Sequence, residues 1–167
     1  MRKKRYLNKK GFVSIEAIIA MVAVMFVMLL AIGFYGYLHP KIILEKEVQS
    51  LAQKAKQQGG LTNSASQPTN SDVSIFMADL KGMGYDTTKV TLTAVTNPGN
   101  VNCVGVTPLG STGSNYLSRN SKQMIVITAK IPTMTKGGIT APLAYFGISS
   151  GVDDYYYIRE TVMSERW

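Results

Sequence analysis

The stretch FVSIEAIIAMVAVMFVMLLAIGFYGYL, from Phe12 to Leu38, carries one charged side chain, Glu16. As a helix rising 1.5 Å per residue it is about 40 Å long, which exceeds the roughly 30 Å hydrocarbon core of a bilayer. The run therefore reads as a slightly over-long transmembrane helix. A buried helix of a soluble protein can be equally apolar, but the basic head before this one and the polar sequence after it argue for lipid. In a chain of 167 residues this leaves room for one small soluble domain and hardly for two independent cores.

The head, Met1 to Lys10, holds Arg2, Lys3, Lys4, Arg5, Lys9 and Lys10 and no acid. The positive-inside rule keeps it in the cytoplasm and places the rest of the chain outside. Removing those six residues from the 18 basic ones leaves 12 against 10 acidic. The formal charge of +8 is mostly a property of the head, and no nucleic-acid partner is expected for the near-neutral remainder. An ordinary secretory signal has a shorter apolar region followed by a small-residue cleavage site. This run is long, contains a carboxylate and ends in Gly-Tyr-Leu-His-Pro.

Gly11, Phe12 and Glu16 read G-F-x-x-x-E at the boundary between the basic head and the apolar helix. Together with that head and helix, the pattern resembles the class III signal of type IV prepilins. The resemblance implies that a membrane-embedded prepilin peptidase cuts between Gly11 and Phe12 and methylates the new N-terminus at Phe12. Glu16 then becomes the fifth residue of the mature chain. The chain departs from major pilins in having Ser14, Ile15 and Ala17 around the glutamate, Gly33 where many pilins place a helix-kinking proline, and no paired cysteines. It is more similar to minor, pilin-like subunits, such as those of Tad systems or Gram-positive conjugative elements. The partners so implied are membrane lipid, the prepilin peptidase, other pilin-like subunits met through the N-terminal helix, and assembly platform machinery. The implied location is the cytoplasmic membrane, single-pass with the N-terminus inside, and then a cell-surface filament.

Such a cleavage gives Glu16 a physical role. It leaves an α-amino group on Phe12 in an apolar environment, where an isolated charge is expensive. A carboxylate from a neighbouring helix, about one turn along, can pair with it and set the axial register, because a misaligned helix leaves both groups unpaired. The bland alternative is that Glu16 snorkels to the cytoplasmic interface. Glu16, Ala20, Ala23, Val27 and Ala31 advance by four, three, four and four, so they form one stripe of mostly small residues, suited to close helix packing. Alanine and valine are also simply frequent in membrane helices.

Beyond the run, Pro40 removes a backbone donor and disfavours helical geometry at His39, which predicts a kink or break. Leu44, Val48, Leu51 and Ala55 then recur at helical spacing, with Glu45, Lys46, Glu47, Lys54 and Lys56 outside the stripe, giving an amphipathic helix. GGLTNSASQPTNS, residues 59–71, reads as a loop or linker. Ser71 caps a short helix with Val73, Phe76, Met77, Leu80 and Met83 on one stripe, ended by Gly82 and Gly84. Alternation from Val90, the Asn-Pro-Gly-Asn turn and Val101 to Thr107 predict a hairpin. Met124 to Ile131 and Tyr155 to Val162 predict two further strands, the tyrosines 155–157 suiting a strand with one buried face. The connections 108–121 and 133–154 are long, and the second contains the apolar string ITAPLAYFGISSG, a subunit contact or a layer beneath the sheet.

The expected fold is α+β: a long N-terminal transmembrane helix continuing into an amphipathic helix, packed on a small antiparallel sheet of three or four strands. The expected segments are a leader at 1–11, the assembly helix at 12–38, the amphipathic helix at 39–58, a loop at 59–71 and an extracytoplasmic domain at 72–167. The single histidine, His39, lies at the membrane boundary, so histidine-based catalysis in the domain is excluded and a histidine-ligated metal is not expected. The lone Cys103 has no partner for an intrachain disulfide and reads as a small buried apolar residue. No phosphate-cradling glycine loop is present. The sequence thus reads as a non-enzymatic, cofactor-free pilin-like subunit; the alternative is an uncleaved single-pass membrane protein whose outer domain binds a partner.

Overall fold

The computed structural model describes residues 9–134, 140, 143, 144, 147 and 153–167, with side chains from Ile15 onward. Its first element, α1 (Lys9–Gln58), is one helix with Pro40 inside it. The helix passes through Pro40 instead of breaking there. The proline forfeits one backbone hydrogen bond and crowds the carbonyl four residues back, which here belongs to Gly36, and the cooperative ladder of so long a helix carries across the gap. The chain forms two compact units, one that includes α1 up to Leu38 and one built from His39–Met134 and Asp153–Trp167.

In the second unit the sheet is a three-stranded antiparallel meander, β1 (Thr91–Asn97), β2 (Met124–Pro132) and β3 (Tyr155–Met163), with β2 in the centre. The architecture is α+β, with three strands. Its register pairs Ala94 with Ile127, Ala129 with Ile158 and Ile131 with Tyr156. Period-two alternation therefore sends Ile125, Ile127, Ala129 and Ile131 to one buried face with Ala94, Tyr156 and Ile158. Leu44, Val48, Leu51 and Ala55 of α1 are equally buried, as their spacing predicts, and Ala52 joins them. Each large apolar side chain so enclosed contributes roughly 1.5–3 kcal/mol.

The expected hairpin partner of β1 is not a strand. Residues 101–107 return along β1 through a single antiparallel bridge, Val95 to Asn102. The chain then leaves at Val104 for a parallel bridge to Leu61, because the amides of Gly105 and Val106 both donate to the Leu61 carbonyl. β2 pairs along the other edge of β1, so Val95 is bridged by Val126 on one side and by Asn102 on the other. The 59–71 segment is a loop, as read, but its start is part of the core, with Leu61 and Thr62 fully buried. Gly59 and Gly60 make this entry at φ +76° and +147°; a Cβ on Gly60 would lie 2.4 Å from Val106 Cγ1 and 2.5 Å from the Cys103 carbonyl, so only glycine fits.

α2 (Asp72–Gly82) begins where expected, with the Ser71 hydroxyl accepting from the Ser74 amide, and buries Phe76 and Leu80. Its start is tied to the loop: the amide and hydroxyl of Thr62 donate to Asp72 Oδ2 at 3.1 and 2.7 Å, and the Asp72 amide donates back to the Thr62 hydroxyl at 2.9 Å. The chain's last residues close on the end of α1. The Glu165 amide donates to the Lys56 carbonyl at 2.7 Å, and the Lys56 ammonium meets the Glu165 carboxylate at 2.8 Å. Arg166 Nη1 donates to the carbonyls of Gln58 and Thr107.

Candidate functional site

From Ile15 onward the apolar part of α1 is exposed: its most apolar 18-residue window has a mean hydropathy of 2.9, and 6% of it is buried. This one helix is long and apolar enough to cross a membrane. Glu16, Ala20, Ala23, Val27 and Ala31 all lie on it and all are exposed. At 100° per residue the five span about 80° of the helix circumference and some 22 Å of its length, which makes them a single seam with Glu16 at its head. Ala23 and Val27, with Val24 and Met28, line a shallow apolar depression of about 330 Å³. The small side chains leave it, and Met28 walls it.

Gly11 and Phe12 lie in the first turns of α1, and their side chains fall outside those described. With the helix continuous, Glu16 is about 6 Å along the axis from Phe12. Helical side chains lean toward the N-terminus, so the carboxylate is directed to the end where the Phe12 nitrogen lies. Among the described residues no lysine or arginine forms an ion pair with Glu16. The basic head before Asn8 and most of the string ITAPLAYFGISSG lie outside the described residues.

In the folded unit, the sequence analysis missed the closure around Arg166, whose guanidinium lies 3.7 Å over the Tyr116 ring, and the sheet-face cluster in which Lys130 sits over Tyr155 and Tyr157 at 4.1 and 5.7 Å. Cys103 is buried, as read, and desolvation pushes its thiol up from the usual range. Tyr85 is likewise pushed up, by burial first and by neighbouring Tyr156 second. Among the described residues no group of three His, Cys, Asp or Glu side chains is placed to hold a metal ion. Comparison with family models, with curated proteins and with solved structures finds no match.

Proposed function

We propose that this chain is a pilin-like structural subunit, cleaved between Gly11 and Phe12 by a prepilin peptidase, methylated at Phe12 and assembled through its N-terminal helix. The observation that carries this reading is the exposed apolar helix with one carboxylate, Glu16, at the head of a small-residue seam. In lipid, apolar area gives two helices no reason to associate, so close backbone approach along small residues and polar pairing do the work. The seam offers the first. Glu16 offers the second once cleavage has left an amine on a neighbour's Phe12. A charge pair in this setting fixes register, since sliding one helix past another strands both charges. Gly33 in place of a kinking proline and the unpaired Cys103 favour a minor subunit. The assembled form is a type IV pilus-like, Tad-like or conjugation or secretion filament reached from the cytoplasmic membrane.

The test is the N-terminus of the cell-associated protein. Intact mass and N-terminal sequencing should give a chain starting at methylated Phe12, and Gly11→Val, which places a branched side chain at the scissile bond, should leave the leader attached. A wild-type chain that keeps its leader in cells containing the peptidase would refute the filament reading and leave a single-pass membrane protein.

A further inference from the structure

A cavity of about 110 Å³ lies beside the end of β1, between the turn that follows the strand and residues 115–123. Its walls are apolar at Val101, aromatic at Tyr116 and polar at Thr96, Asn102, Asn115 and Gln123. Among the described residues no charged side chain lines it. Part of the polarity is satisfied within the fold. The Thr96 hydroxyl accepts from the Val101 amide, Asn102 Oδ1 accepts from the Val104 amide, and Asn115 Nδ2 donates to the Gly105 carbonyl, each at 3.0 Å. Two groups are left over. Thr96 is 0% exposed, yet among the described residues its hydroxyl proton meets no acceptor. The half-buried Gln123 makes its side-chain bond through neither end of the carboxamide; only its backbone amide donates, to Ser121 Oγ. The two groups border one space. Gly99 has no Cβ, and the position one would take lies 3.3 Å from Thr96 Oγ1, 3.5 Å from Gln123 Nε2 and 3.9 Å from Val101 Cγ2. A buried donor is costly to leave unpaired, so this space suits a molecule that brings an oxygen to it.

We infer that the cavity binds the hydroxyl edge of a neutral sugar residue. An ionic ligand finds no countercharge in the walls and is costly to desolvate, while an apolar one leaves the Thr96 proton unpaired. A hydroxyl accepts and donates at one atom. One sugar oxygen can therefore take protons from Thr96 and Gln123 Nε2 while its own goes to a carboxamide oxygen of the wall, and the sugar's C–H groups meet Val101 and Tyr116. The volume is that of several waters, whose bonds the hydroxyls of one ring edge reproduce. A single residue enters, and no longer saccharide fits inside. The inference concerns the folded unit alone and rests neither on a membrane span nor on cleavage or assembly.

Side-chain NMR of the full-length, ¹⁵N-labelled chain in phosphocholine detergent micelles, which carry no sugar, tests this. Glucose, galactose and N-acetylglucosamine are each titrated to about 100 mM, well above the dissociation constant of a few millimolar expected for a dozen non-hydrogen atoms. Glycerol and acetamide serve as controls that carry the polar groups without the ring. At least one sugar should shift the Gln123 carboxamide resonances saturably. Gln123→Leu and Thr96→Val, which keep size and remove a polar group, should weaken that binding about tenfold, read on the Asn115 carboxamide. Thr96→Val also removes the acceptor of the Val101 amide, whereas Gln123→Leu breaks no side-chain bond of the fold, so Gln123→Leu decides the matter if the other variant unfolds. No saturable shift at Gln123 with any of the three sugars overturns the inference and leaves a hydrated cavity. Binding that Gln123→Leu retains unchanged overturns it by placing the sugar elsewhere. Glycerol or acetamide matching the best sugar overturns it too, because the cavity then reads a polar group and no ring.

Discussion

Replacing Arg166 by alanine should cost the folded unit about 2–4 kcal/mol, the range set by hydrogen bonds from a charged donor and by ring contacts. Arg166 Nη1 donates to the Gln58 carbonyl at 3.1 Å and to the Thr107 carbonyl, and its guanidinium stacks on Tyr116. The Gln58 carbonyl is one of the last four of α1 and lacks an intrahelical partner, so a cation there also meets the negative end of the helix dipole. Each bond from a charged donor contributes about 1.5–3 kcal/mol when buried and less here, because the side chain is half-exposed. The ring contact adds about 0.5–1 kcal/mol. In a domain of this size each kcal/mol lowers Tm by roughly 4–8 °C. Arg166→Lys keeps the charge but loses the fork that reaches two carbonyls, and should fall between wild type and alanine. Denaturation of the full chain in detergent micelles, followed by Trp167 fluorescence, measures the effect, since Trp167 lies under Arg119 at 4.7 Å within the same closure. A loss below about 0.5 kcal/mol, the level of an ordinary surface substitution, would refute the argument that Arg166 ties the chain's end to α1.

Under the proposed function, Glu16→Gln should assemble about as poorly as Glu16→Ala, because glutamine keeps the shape but cannot neutralise an amine. Crosslinking between cysteines introduced along the Ala20 to Ala31 seam, in a Cys103→Ser background, reads this out, and normal crosslinking in both variants would remove Glu16 from the assembly mechanism. Cys103, buried and with its thiol pushed up, should react with a thiol reagent at pH 8 on the order of 100-fold more slowly in the native chain than in denaturant; equal rates would contradict its burial. Because the folded state holds the Cys103 and Tyr85 protons more tightly than the unfolded state, that stability is complete below the unfolded thiol pKa of about 8.5 and is lost as pH rises beyond it. Denaturation midpoints measured from pH 7 to 10 should fall, and fall less steeply in Cys103→Ser.

The sequence by itself determined what depends on local periodicity. The apolar run of α1, the stripe Leu44, Val48, Leu51 and Ala55, the Ser71 cap and the strands β2 and β3 are each specified by residues a few positions apart, and each is found where those residues stand. The seam headed by Glu16 is of the same kind, since residues three and four apart on one helix share a face whatever else folds around them. Only the tertiary structure decided which strand pairs with β1. Val101 to Thr107 has the turn and the alternation of a hairpin arm, but Leu61, some 40 residues away in the sequence, captures Gly105 and Val106 by their amides, so this arm keeps a single bridge to β1 and the continuous ladder forms with β2 on the other edge. Pro40 is the converse case, in which a local helix breaker is outweighed by the helix on either side of it. Arg166 carries no local signal for its role, because this comes from distant partners: an arginine becomes a helix cap only when it is brought back to Gln58. Periodicity fixes which face of an element is buried; long-range pairing fixes the element's neighbours and direction.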